Sequence, residues 1–136
     1  MATESEIRNK ISNAKRQKNA HQMRVDECER QVRLLRNAYD ELGELKDSFR
    51  DTRKSIEKVF EEKGKWRGEK YNDFCKAGES LDNAYGRYYK NLDAAQDAVN
   101  TKISELVAER ARRIWLIGEL VAQINQWWID IENLWN

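Results

Sequence analysis

From Ile7 onward the first half of the chain repeats apolar residues in alternating steps of four and three. Ile11, Ala14, Val25, Cys28, Val32, Leu35, Tyr39, Leu42, Phe49, Ile56 and Phe60 all fall on this track. A period of 3.5 keeps one narrow stripe of an α-helix turned toward a neighbouring helix, whereas a strand would alternate every second residue. Four polar residues, Lys18, His21, Lys46 and Arg53, occupy positions on the same track. A polar group at such a position sets the register of helix pairing far more often than it binds a ligand. The chain contains no proline in 136 residues, so nothing in this stretch interrupts a helix.

The remaining boundaries follow from capping and turn chemistry. Thr3 or Ser5 can cap the first helix, with Glu6 three residues after Thr3 in the capping-box position. The one convincing break is Lys63-Gly64-Lys65-Trp66-Arg67-Gly68, where glycine can end a helix at little steric cost. Beyond it the steps of three and four resume at Tyr71, Phe74, Gly78, Leu81, Tyr85, Tyr88, Leu92, Ala95 and Val99, then Ile103 and Leu106. The chain is therefore expected to be a single all-α domain over residues 1–136, a long antiparallel, coiled-coil-like helical hairpin. Helix one spans about 4–62, the Trp-x-Gly turn 63–69 and helix two about 70–135, with a break or bend allowed for in its C-terminal part.

The C-terminal segment has a different pattern. One stripe reads Ile114, Ile117, Val121, Ile124, Trp128, Ile131 and Trp135, and a second reads Leu116, Leu120, Trp127 and Leu134. A helix in a two-helix hairpin needs one narrow seam, so two adjacent stripes imply more than one neighbour. Four of the five tryptophans lie here, and tryptophan is enriched at binding hot spots. Leu120, Ile124, Trp127, Trp128, Ile131 and Trp135 are accordingly the expected core of a partner interface. The alternative is that the segment folds back on helix one and completes the chain's own core. A membrane-surface helix would carry Lys or Arg on its polar face, and none follows Arg113.

Charge and composition narrow the function class. The 25 basic and 24 acidic residues nearly cancel, and each half of the chain is close to neutral, which argues against nucleic acid as a partner. The N-terminal 20 residues lack the apolar core of a signal peptide, and Ile114 to Ile117 is far too short to span a bilayer, so synthesis as a soluble cytoplasmic chain without stable membrane insertion is expected. Two cysteines, Cys28 and Cys75, are too few and too far apart for a disulfide framework or a metal knuckle. No phosphate loop, nucleophile motif or His–carboxylate constellation is present, so no catalytic, cofactor-binding or metal-binding residues are expected and the chain is read as non-enzymatic. Association with other helices remains, either with a different protein or with further copies as a structural coiled coil.

The motifs Leu34-Leu35-Arg36-Asn37-Ala38-Tyr39, then Phe49, then Lys65-Trp66-Arg67-Gly68 followed by Tyr71 and Phe74, resemble the YwqH-like family of Gram-positive bacteria. The resemblance covers roughly Val25 to Leu106. The Trp-x-Gly at mid-chain is similar to the turn of the WXG superfamily, helical-hairpin substrates of type VII secretion. The resemblance implies a targeting or chaperone-like partner for the helical N-terminal domain of an LXG toxin, together with contact to the secretion machinery and room for a second small helical partner. It further implies export with that partner to the cell surface or extracellular space, and a turn at Trp66 and Gly68 that the secretion apparatus recognises. The WXG export signal, Tyr-x-x-x-Asp/Glu, has two candidates here: Tyr89 with Asp93, and Trp128 with Glu132, which departs in its aromatic residue. Tyr89 lies in mid-helix with over forty residues still to follow, and its i, i+4 spacing from Asp93 equally suits a structural pair beside the seam.

Overall fold

A computed structural model describes residues 2–62 and 69–136, with side chains described up to Val59 and again from Asn72. Trp66 and Gly68 of the expected turn, and the side chains of Phe60 and Tyr71, lie outside the described residues. Two α-helices account for nearly all of the rest: α1 over Glu4–Glu62 and α2 over Glu69–Leu134, packed against each other as a helical hairpin. No strand occurs among the described residues. Thr3 is the residue that caps α1: its Oγ1 accepts the amide of Glu6 at 3.2 Å and its carbonyl accepts that of Ile7 at 3.1 Å. Glu4 and Glu6 place negative charge in the first turn, where the exposed amides favour it. The allowed-for break near the C-terminus is absent; α2 runs unbroken through Leu134, since its only interior glycines past residue 80, Gly86 and Gly118, sit in ordinary helical backbone.

Contacts divide the chain into two compact units, each a pair of antiparallel helix segments: Met1–Leu34 with Ile103–Asn136, and Leu35–Lys102. In the first unit Ile7, Ile11 and Ala14 bury themselves against Ile124 and Ile131, with Ala2, Leu120 and Trp127 packed around them. Val25, Cys28, Val32 and Leu106 are buried further along it. Both cysteines are free, and burial pushes the Cys28 thiol above its ordinary pKa. Apolar layers here alternate with a polar one. Arg24 clasps Glu109, and Arg113 Nη1 lies 2.8 Å from His21 Nδ1. Arginine only donates, so His21 must present Nδ1 as an acceptor there.

The second unit relies more on polar side chains. Phe49 meets Tyr85 edge-on at 5.5 Å and stacks on Tyr88 at 5.7 Å. Arg53 clasps Asp82 through Nε at 2.6 Å and Nη2 at 3.0 Å. Lys46 pairs with Asp93 and also donates to Oε1 of Gln96 at 3.1 Å. These contacts correct the expected α2 stripe. Leu81 and Tyr88 are exposed, while Asp82, Tyr89 and the buried Gln96, each one position later, turn inward. The cause lies on α1: Lys46 and Arg53 occupy seam positions, and cations half-removed from water require acceptors opposite them. The resulting four-three track on α2 runs through Leu92, Gln96, Val99, Ile103, Leu106, Arg110 and Arg113 to Ile117, Leu120, Ile124, Trp127 and Ile131.

Candidate functional site

The seam uses only part of the apolar surface that the C-terminal half of α2 presents. Val107, Ile114, Val121, Trp128 and Trp135 recur every seven residues, and all five are exposed large apolar residues. Beside them lie Trp115, 63% exposed, and Ile129. Between successive turns of this stripe sit Ala111 and Gly118, and a Cβ built on Gly118 would meet nothing within 4 Å. Seven-residue spacing with small residues between large ones is the surface into which a further helix packs closely. In the same unit α1 exposes only two large apolar residues, Met23 and Leu34, and its other outward positions are polar apart from Ala20. The two helices thus differ sharply: α1 has one apolar face and α2 has two.

The six residues expected to form one partner-facing core are divided by the packing. Ile124 and Ile131 are buried in the chain's own core, and Leu120 and Trp127 pack against it. Trp128 and Trp135 remain on the outer stripe, Trp135 at 74% exposed. Of the six, Trp128 and Trp135 are thus the ones outside the chain's own core cluster. Four of the six answer to α1, because Ile7, Ile11 and Ala14 supply the complementary surface there. The sequence reading missed Val107 and Ala111 altogether; the seven-residue repeat ending at Trp135 was the signal that could have found them.

Trp128 is shaped by two cations from α1. Its ring centroid lies 5.4 Å from Arg8 Cζ and 5.8 Å from Lys15 Nζ. Glu132, its partner in the second candidate signal, is exposed. On the opposite flank of the helix pair, Ala2, Ile7, Asp130, Asn133 and Leu134 line a shallow cleft of about 290 Å³.

The first candidate signal is held by α1. Arg50 Nη2 donates to the Tyr89 hydroxyl at 3.1 Å, Lys46 Nζ lies 5.0 Å over the Tyr89 ring, and the same ammonium pairs with Asp93. Both letters of the motif therefore make cross-helix contacts. Phe49, Arg50, Arg53, Tyr85 and Tyr89 also line a cleft of about 150 Å³, but its two arginines already serve Tyr89 and Asp82. No group of three or more metal-type ligands converges among the described residues, and no described helix is long and apolar enough to cross a membrane.

No curated protein and no solved structure matches the chain. A family model does: the pattern of the YwqH-like proteins matches residues 7–128. That match runs through both helices, the polar seam of the second unit and the outer stripe as far as Trp128, and the chain belongs to the YwqH-like family.

Proposed function

We propose that this chain is a non-enzymatic targeting partner that binds the helical N-terminal domain of an LXG-type toxin and supports its export by a type VII secretion system. The observation that carries the reading is the second apolar stripe of α2, Val107 through Trp135, left open on a hairpin whose first stripe is already satisfied. An exposed apolar surface of this extent marks an interaction site in a chain that is otherwise charged. A helical partner fits its seven-residue repeat, and family membership supports a toxin's helical domain as that partner. The chain would be made in the cytoplasm and leave with its partner. A second reading, a self-associating structural coiled coil, draws on the same stripe, because Ala111 and Gly118 would let two copies of α2 approach closely.

Co-expression with the N-terminal domain of an LXG toxin encoded beside this chain tests the proposal. The two should purify as one complex. A Val121→Glu, Trp135→Ala double variant should weaken it by about tenfold or more, a loss of about 1.4 kcal/mol. Its melting temperature should stay close to wild type, because both residues lie outside the seam. Absence of a complex, with dimers of the isolated chain that the same variant dissolves, would establish the coiled-coil reading instead.

A further inference from the structure

The outer stripe has a charged wall on one side. Arg8 and Lys15 are seven residues apart, two turns of α1, on a single face, and both are exposed. Their cationic groups flank the Trp128 ring at 5.4 and 5.8 Å. Arg8 also pairs with Glu4, its Nε donating to Oε1 at 3.0 Å, whereas Lys15 has the indole beside it. α2 supplies no cation here: from Ile114 to its end it carries only Glu119, Asp130 and Glu132. The groove therefore has an apolar floor from α2 and a basic wall from α1.

Resting on the partner-binding reading above, we propose that the occupant is an amphipathic helix with two carboxylates seven residues apart along one flank of its apolar stripe. Its apolar residues seat on Val121, Trp128 and Trp135, and its Asp or Glu side chains meet Arg8 and Lys15. The spacing follows from geometry, since two turns of either helix advance about 10 Å. The bonds formed are charge-assisted and lie beside an indole that excludes water from one side, which strengthens them over open-surface pairs. They fix the register of docking and reject a helix with basic flanks. A second copy of this chain fits less well. Beside its own stripe, positions 105, 112, 119, 126 and 133 read Glu, Arg, Glu, Gln and Asn, with no two carboxylates seven apart.

Two synthetic helical peptides of about four heptads test this. They share one Leu/Ile seam; the first carries Glu at two flanking positions seven apart, the second Lys at the same positions. Each is titrated into the full chain and into an Arg8→Glu, Lys15→Glu variant, with tryptophan emission as the readout and a melting curve confirming that the variant is folded. The Glu peptide should bind wild type at least about tenfold tighter than the Lys peptide. The preference should vanish or invert in the variant, and should shrink as salt rises toward about 1 M. Equal binding of the two peptides, no binding of either, or an unchanged preference in the variant would overturn the proposal. So would sedimentation showing a dimer that closes the groove, or tighter capture of the chain by phosphatidylserine vesicles than by the Glu peptide. Loss of peptide preference while the toxin domain still co-purifies, sensitive to Val121→Glu with Trp135→Ala, would remove the acidic flank alone and leave the proposed function intact.

Discussion

Arg24 holds Glu109 with one edge of its guanidinium, Nε donating to Oε1 at 2.6 Å and Nη2 to Oε2 at 2.7 Å. The pair joins α1 to α2 in the same unit as the buried Cys28 and Leu106. Its hydrogen bonds lower the Glu109 carboxyl from its ordinary 4.5 to about 2, against an opposing contribution from burial. A folded-state pKa below the unfolded one stabilises the fold above the unfolded value, and that stabilisation disappears as pH falls through the folded value. The melting temperature should therefore decline as pH drops from about 4.5 to about 2. A Glu109→Gln variant should melt below wild type at neutral pH, and the gap should close across that window. Some acid sensitivity will persist in the variant, because Arg30 and Gln31 depress Glu27 to about 2 as well. A gap independent of pH would show that the carboxylate of Glu109 is not its source.

Gln96 and Gly43 are expected to be energetically coupled. The Gln96 amide Nε2 donates to the Tyr39 carbonyl at 3.1 Å, and a Cβ on Gly43 would lie 3.3 Å from that nitrogen. Alanine in a helix interior is favoured over glycine by about 1 kcal/mol. Here the gain is opposed by crowding of a buried amide that hydrogen bonds to Lys46 and to the Tyr39 carbonyl hold in place. Gly43→Ala should thus be neutral or destabilising in wild type, and stabilising by about 1 kcal/mol in a Gln96→Ala background. Urea titration of the four proteins of this cycle gives the answer, and a coupling near zero would mean the amide moves aside freely.

The two apolar faces of α2 should respond oppositely to truncation. Ile124 is buried among Ile7, Ile11 and Ala14, so Ile124→Ala should cost about 2–4 kcal/mol in urea unfolding. Trp135 is exposed, and Trp135→Ala should stay within about 0.5 kcal/mol of wild type. A large loss at Trp135 would mean that the outer stripe is already satisfied within the chain.

Tyr89 and Asp93 are expected to behave as a structural pair. Tyr89→Phe keeps the ring beneath Lys46 and removes the hydroxyl that Arg50 reaches; Asp93→Asn removes the anion that Lys46 meets. Each should lower the melting temperature modestly and leave secretion near wild type. Trp66→Ala, at the turn implied by the family resemblance, should instead reduce secretion while helicity by circular dichroism is unchanged. Secretion abolished by Asp93→Asn at unchanged melting temperature would make Asp93 part of a signal.

Much of this architecture is legible in the sequence. Ile7, Ile11, Ala14, Val25, Cys28 and Val32 were identified by spacing alone, and each is buried. Lys46 and Arg53 were identified as polar seam positions, and both reach across to acids on α2. What failed was the phase of the α2 stripe, which steps of three and four from Tyr71 carry one position too early at two places. Those steps select Leu81 and Tyr88, whereas Arg53 and Arg50 reach Asp82 and Tyr89, each one position later.

By itself, then, the sequence determined two long helices, the seam of the first, and an excess of apolar surface at the end of the second. Those properties are local: a 3.5-residue period, a capping threonine and a missing proline act within one helix and need no neighbour to be recognised. Only the tertiary structure decided which residues of α2 occupy the seam and which half of its C-terminal arc stays open. That choice depends on partners far away in the chain. Asp82 is drawn inward by Arg53, Gln96 by Lys46 and the bare backbone at Gly43, and Ile124 by the apolar triplet near the N-terminus. Rotating a helix by one residue changes no local propensity, so it is the cross-helix packing and pairing energies, summed over the interface, that select the register.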